Sequence, residues 1–243
     1  MIFVTSWDDG HPFDERIADL LERYSLMGTF FVPIRNREGL PVLSAGAIRA
    51  LDGQFEVGSH TQDHIYLTEL SPGERWRQVI AGKMQLEDIL GHAVEGFCYP
   101  GGKINSDIRQ SVIDAGFSYA RGINNFWLGI GSDRFDVPTT FQFFPHCRQV
   151  LWRNFARGGS YRSRFHSFRI MTSSDDWLAA MIRLIELEAE TDNVIHLWGH
   201  SWEMERKCLW PQLDEFLRQV AAFCPQTSTV AELMARAPIS GRV

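Results

Sequence analysis

The sequence predicts an α/β fold in which short apolar strands alternate with amphipathic helices around a largely parallel sheet. Three observations predict it. Apolar runs recur from one end of the chain to the other, and most are followed by a segment with apolar residues at helical spacing. Glycine, proline and serine stand where helices must start and stop. No repeat, low-complexity stretch or linker breaks the alternation, so the 243 residues are expected to form one domain, 1–243.

Each element has a local reason. Residues 2–7 (IFVTSW) are an apolar run and read as a buried strand. Residues 14–24 carry Ile17, Leu20 and Leu21 at helical spacing; Gly28 ends that unit, and residues 29–33 (TFFVP) read as the next strand. A short helix around 47–51 precedes a strand at 55–58. Residues 72–90 read as a long helix, with Ser71 as N-cap, Pro72 at the first helical position and Gly91 as its stop. A strand at 94–99, a helix at 107–115 closed by Gly116, and a strand at 117–121 follow. From 124 to 173 glycine, proline, arginine and aromatic residues suggest loops with short elements. Regularity returns with a helix at 174–190, capped by Ser173 or Ser174, a strand at 194–198, a helix at 211–223 and a final turn at 230–235.

Composition is that of a water-soluble globular chain, 44% hydrophobic and 22% charged, with a formal net charge of -6. No Lys/Arg block tracks a phosphate backbone, so nucleic acid is not an expected partner. The densest basic stretch holds arginines at 148, 153, 157, 162, 164 and 169. It reads first as a solvated loop and second as a site for an anionic part of a substrate. Cys98, Cys147, Cys208 and Cys224 are far apart and form no C-x-x-C, which suggests reduced, mostly buried thiols. No apolar run reaches bilayer length. The strand starting at residue 2 leaves no room for a basic n-region or cleavage site, so a cytoplasmic location is expected.

The chemistry gathers at strand ends, where parallel α/β folds build their sites. Asp8-Asp9-Gly10 closes the first strand. Adjacent strand residues face opposite ways, but a turn eased by Gly10 can aim both carboxylates into one site. Alone, Asp-Asp-Gly before a helix is more often an N-cap. His60 and His64 follow the strand at 55–58; on a helical turn that spacing puts both imidazoles on one face. One carboxylate and two imidazoles make a three-ligand set for a divalent metal, most readily zinc, with an open position for a water that is nucleophilic near neutral pH. The second carboxylate of the pair is then free to act as a base. His200 ends the run 194–199 and suits a general acid; His196, inside that run, reads as a hydrogen-bonded core histidine. Among Trp7, Trp127, Trp198 and Trp202, the last is the best placed to line a sugar cleft.

Taken in order, Asp8-Asp9-Gly10, His60-x-x-x-His64 and Leu197-Trp198-Gly199-His200 resemble the motifs of the polysaccharide deacetylase family, the NodB homology domain of carbohydrate esterase family 4. Gly28-Thr29-Phe30-Phe31-Val32 is similar to that family's second strand. Phe97-Cys98-Tyr99-Pro100-Gly101-Gly102 stands where the family has its arginine-containing proline motif, and Ala115-Gly116-Phe117 matches its helix-to-strand step. The resemblance implies a distorted (β/α) barrel of seven strands and metal-dependent amide hydrolysis. It implies Asp8 as base, Asp9, His60 and His64 as metal ligands, and His200 as acid. The Gly101 N–H would face the oxyanion, with Tyr99 and Trp202 on the substrate side. Two departures mark a divergent subgroup. Cys98 occupies the position of the arginine that holds the base, leaving an arginine from elsewhere or a differently tuned base. Asp133-Arg134-Phe135-Asp136 has the aspartate spacing of the Asp-x-x-Asp-Trp motif, but Val137 replaces its tryptophan, and it is not expected to partner His200. The implied substrate is an acetylated sugar, such as a nucleotide-linked, lipid-linked or O-antigen precursor. A cyclic amide or ureide hydrolase and a non-catalytic sugar-binding module are the rival readings.

Overall fold

The computed structural model describes residues 1–223 and 225–236. At the centre of its sheet lies β1 (Ile2–Asp8), buried along nearly all its length. Around it, β2 (Thr29–Val32), β3 (Glu56–Ser59), β4 (Gly96–Cys98) and β5 (Tyr119–Arg121) extend one way, and β7 (Val194–His200) and β6 (Phe141–Gln142) the other. The order is β5-β4-β3-β2-β1-β7-β6, every pairing is parallel, and the sheet curls with helices packed outside. The distorted, seven-stranded barrel-like path expected from the sequence is present. A short eighth strand, β8 (Gln226–Ser228), pairs the start of β1. The gap between β5 and β6 is narrowed by one extended stretch, bridged to Arg121 at Val137 before it enters β6.

The period of two along each strand separates two cores. Phe3 and Trp7 face out and join Ile17, Leu20 and Leu21 of helix α1 (Asp14–Arg23) in the larger apolar cluster. Val4 faces in and meets Phe31, Cys98, Tyr119 and Val137, together with Val230, Leu233 and Met234. The inward positions of β1 beyond Val4, Ser6 and Asp8, are polar, so the inner face becomes hydrophilic toward the C-terminal strand ends.

The remaining helices are α2 (Ala45–Asp52), α3 (Pro72–Leu90), α4 (Ser106–Asp114), α5 (Arg148–Arg157), α6 (Tyr161–Met171), α7 (Trp177–Glu188), α8 (Ser201–Arg206), α9 (Trp210–Ala222) and α10 (Val230–Arg236). The α3 boundaries follow its capping signals: Ser71 and Glu74 form a capping box, and Gly91 closes the helix at φ 81°. The stretch 124–173 departs from expectation, because α5 and α6 occupy much of it. Phe155 and Phe168 stack at 4.1 Å between them, and Arg164 folds inward onto the carbonyl oxygens of Asn125, Asn154, Phe155 and Gly159. One of the arginines counted toward loops is thus the buried brace of a helical hairpin. N-capping of α7 falls to Asp176, not Ser173 or Ser174, because its carboxylate accepts from Leu178 and Ala179. Of the thiols, Cys98 is buried, while Cys147 and Cys208 are exposed, contrary to expectation; all three are free, and Cys224 lies outside the described residues.

Candidate active site

Parallel register carries the first two functional groups to the same level. Asp8 and His200 are Cα partners at the ends of β1 and β7. Beyond Asp8 the chain turns sharply: Asp9 adopts φ 78° and Gly10 φ 57°. A side chain at Gly10 would sit 2.7 Å from Val32, so the turn needs both glycine's left-handed freedom and its lack of a Cβ. This turn brings Asp9 beside the imidazoles. Asp9 Oδ1 lies 3.5 Å from His60 Nε2 and 3.0 Å from His64 Nε2.

His60 and His64 meet by a different route from the one the spacing suggested. Residues 60–66 form no helix; Thr61 (φ 70°) and His64 (φ 49°) are left-handed, and the loop itself folds the two rings to 5.0 Å between centroids. A Cβ on Gly82 of α3 would approach the Thr61–Gln62 backbone to 2.7 Å, so the helix can press directly against this loop.

His60 Nδ1–H donates to the Cys98 carbonyl at 2.8 Å, which leaves Nε2 as a lone pair. That lone pair faces the Asp9 carboxylate, and two acceptors so close require a cation or a proton between them. One carboxylate and two imidazoles, all buried and with ligating atoms within 4.8 Å of one another, fit a divalent ion of the zinc type. Burial pushes the Asp9 carboxyl up, but the His60 and His64 hydrogen bonds and the His200 charge prevail and hold it well below the usual range. Trp202, on the first turn of α8, donates its Nε1–H to Asp9 Oδ2 at 2.8 Å and fixes that carboxylate further.

Asp8 is 3% exposed and ion-paired to Arg121, which is fully buried at the end of β5. Cys98 and Arg121 are Cα partners on adjacent parallel strands, so both side chains share the inner face. Cys98 Sγ lies 3.8 Å from one Asp8 oxygen, and Arg121 binds the other. The guanidinium also stacks between Phe31 and Trp198, 5.3 and 5.2 Å from their ring centroids. Of the two alternatives left by Cys98, an arginine from elsewhere is the one realised, displaced by one strand. Burial pushes the Cys98 thiol up, which keeps it protonated beside this pair.

His200 shows a similar substitution. Its Nδ1–H donates to Glu203 Oε2 at 2.8 Å, and its Nε2 faces Asp9 Oδ2 at 4.0 Å. Glu203 is held by Gln142 Nε2 at 2.9 Å, and Gln142 Oε1 accepts from His146 Nε2 at 2.8 Å. Burial alone would lower the His200 pKa, but the Glu203 hydrogen bond and the Asp9 charge raise it to about 9. Asp133 instead pairs with Arg109 at 2.7 Å, away from His200 as expected. His196 is a buried core histidine: Ser6 Oγ lies 2.9 Å from its Nε2, and burial lowers its pKa to about 3.

The remaining expected site residues divide. Gly101 (φ 62°) is exposed just past the end of β4, packed so tightly on Tyr66 that an added Cβ would approach its ring to 2.6 Å. Tyr99 turns the other way: it is 1% exposed, and its hydroxyl donates to the Phe135 carbonyl at 2.8 Å. Its side chain therefore belongs to the core and offers no hydroxyl to a substrate. Arg121, Glu203 and Gln142 were missed from the sequence. Glu203 had a legible signal, being three residues beyond His200 at helical spacing; Arg121 had only its position at a strand end. Asp14 on α1 is also fully buried near this site; burial pushes its carboxyl well up against the lowering pull of the Ser201 hydroxyl, and the Asp9 and Asp8 charges add to the rise.

Comparison with known proteins gives a consistent picture. Residues 2–120 match the family model described as polysaccharide deacetylase. Over 118 residues the chain is 27% identical to a peptidoglycan-N-acetylglucosamine deacetylase of Bacillus cereus, covering 48% of this chain and 54% of that protein. The chain thus matches about half the length of this curated relative. The chitin deacetylase of the fungal pathogen Colletotrichum lindemuthianum superposes with a TM-score of 0.64 at 17% identity, over 98% of this chain and 89% of the other. A family 4 acetyl xylan esterase from Clostridium thermocellum, solved with a cobalt ion, superposes with a TM-score of 0.60 at 15% identity, over 97% and 91%.

Proposed function

Residues 2–120 belong to the polysaccharide deacetylase family, and from that premise we propose that the chain is a metal-dependent hydrolase that removes an N-acetyl or related acyl group from a sugar. One observation carries the reading. Asp8 and His200, each braced by its own buried or half-buried partner, stand beside the three-ligand set of Asp9, His60 and His64. A binding module would need neither an acid nor a base.

A divalent ion held by Asp9, His60 and His64, most readily zinc, would polarise the acyl carbonyl and make a water acidic enough to attack it. The acetyl xylan esterase holding cobalt supports a metal here. Asp8 takes the proton of the attacking water, with Arg121 stabilising its carboxylate. The backbone N–H of Gly101 receives the developing oxyanion. His200, protonated because Glu203 and Asp9 favour its cation, gives its Nε2 proton to the departing amine. Water is consumed, the C–N bond breaks, and a carboxylate and an amine leave. Trp202, partly exposed and tilted 33° from the His200 ring, offers a face to the sugar. An acetylated precursor of a surface polysaccharide, such as an O-antigen building block, is the proposed substrate class, with the cytoplasm as the proposed location. Among the described residues no helix is long and apolar enough to cross a membrane.

The test is acetate release from a panel of N-acetylated sugars by zinc-loaded and chelator-stripped protein. Release that needs the metal supports the reading. Ring opening of allantoin without acetate release favours a cyclic ureide hydrolase, and sugar binding by the loaded protein without turnover leaves a binding module.

A further inference from the structure

The α5–α6 hairpin takes no part in the chemistry above, yet its surface is unlike the rest of the chain. Residues 148–171 contain six arginines and no aspartate or glutamate, in a chain whose formal net charge is -6. Arg164 is buried as the brace, and Arg148 lies 3.5 Å from Asp175. The other four, Arg153, Arg157, Arg162 and Arg169, are exposed and form no ion pair among the described residues. Between them Trp152, Tyr161 and Phe165 are 58%, 55% and 55% exposed.

These side chains are ordered by the hairpin itself. The ring of Trp152 meets Phe168 edge-on at 4.6 Å between centroids, and Tyr161 and Phe165 lie 5.5 and 6.4 Å from Phe155. The stacked Phe155–Phe168 pair therefore supports all three exposed rings from below. At helical spacing Trp152 shares a face of α5 with Arg148, Arg153 shares an adjacent one with Arg157, and on α6 Arg162, Phe165 and Arg169 share one. Each helix thus shows solvent a mixed aromatic and cationic face. Single exposed aromatics are ordinary, but three on one hairpin among unpaired arginines are not.

We propose that this hairpin is a docking face for an anionic lipid bilayer. Aromatic rings with an apolar body suit the headgroup level, and guanidinium groups on long apolar stems can reach lipid phosphates from the same depth. Complementary charge selects the occupant: this is the cationic face of an otherwise acidic chain, so anionic headgroups attract it while the remaining surface is repelled. The hairpin's root adjoins the candidate active site. His146, two residues before α5 begins, is joined through Gln142 to Glu203, the partner of His200. The proposal does not depend on the hydrolytic reading.

Co-sedimentation of the full chain with vesicles tests it. Binding is expected to phosphatidylcholine vesicles containing about one third phosphatidylglycerol, not to pure phosphatidylcholine vesicles, and it should weaken as salt rises. Replacing Arg153, Arg157, Arg162 and Arg169 by Gln should lower partitioning about fivefold per arginine, and Trp152→Ser with Phe165→Ser should lower it further. Both variants should keep the far-ultraviolet dichroism of the parent, since every altered side chain is exposed. No binding to the anionic vesicles, equal binding to both vesicle types, or binding unchanged in the variants would overturn the proposal. So would a dimer in sedimentation equilibrium that the Trp152 and Phe165 substitutions dissolve, which would assign the face to a second copy.

Discussion

The two sides of the candidate active site are built differently. Asp9, His60 and His64, the proposed ligands, come from the ends of β1 and β3, within the 2–120 segment that matches the family model, and lie against one another. The groups that steady the proposed acid and base are displaced. Arg121 reaches Asp8 from β5, one strand beyond Cys98, and Glu203 reaches His200 from α8, while the acidic motif near Asp133 pairs elsewhere. If the proposed ligands bind a metal, the contrast teaches that ligands are tied to sequence positions by bond geometry, whereas a bracing charge needs only to arrive. In a parallel sheet the neighbouring strand supplies an equivalent inward position at the same level.

Predictions that break this comparison begin with the ligands. Asp9→Ala or His60→Ala should abolish zinc binding in equilibrium dialysis and leave acetate release at background. Full zinc occupancy in both variants would show that the three-ligand set is not the metal site.

The displaced arginine comes next. Arg121→Met leaves Asp8 buried without its counter-charge, which costs about 3–5 kcal/mol of folding stability in denaturant titrations and should sharply reduce turnover. Placing the charge back at the motif position, Cys98→Arg with Arg121→Met, should recover part of both losses because the two side chains share one face. A double variant no better than Arg121→Met alone would show that Arg121 does more than supply charge.

A smaller effect is expected at Glu203. His200 must carry its proton to act as the acid, and its pKa of about 9 keeps it charged well above neutrality. Glu203→Gln removes the hydrogen-bonded carboxylate, so the alkaline limb of the pH–rate profile should move down toward the ordinary imidazole value near 6.5. Activity should be lost first at high pH and largely kept at pH 6. An unmoved alkaline limb would mean that another group sets it.

The smallest effect is expected at Trp202. Trp202→Phe deletes the hydrogen bond to Asp9 but keeps an aromatic ring, and zinc affinity should fall about tenfold, the lower range for a group that orients a ligand. Unchanged affinity would leave Trp202 only a sugar-facing role.

How much of this was legible in the sequence follows the same division. The β/α order, the limits of α3 and the Asp8–Asp9 and His60–His64 sites could be read because capping, apolar periodicity and strand-end chemistry are local. The α5–α6 hairpin could not, since it depends on Arg164 reaching four carbonyl oxygens distributed over 125–159. Arg121 was hidden because its partner lies 113 residues earlier and meets it only through strand register. Tyr99 was misplaced for a related reason: its motif position says nothing of the Phe135 carbonyl that draws its ring into the core.

The central claim is that Asp8 is the base of a metal-assisted hydrolysis, and zinc-loaded Asp8→Asn tests it most directly. Acetate release from an N-acetylated sugar should fall by a factor on the order of a thousand while zinc content stays at the parent level. Parent-like acetate release at equal zinc content would contradict the assignment.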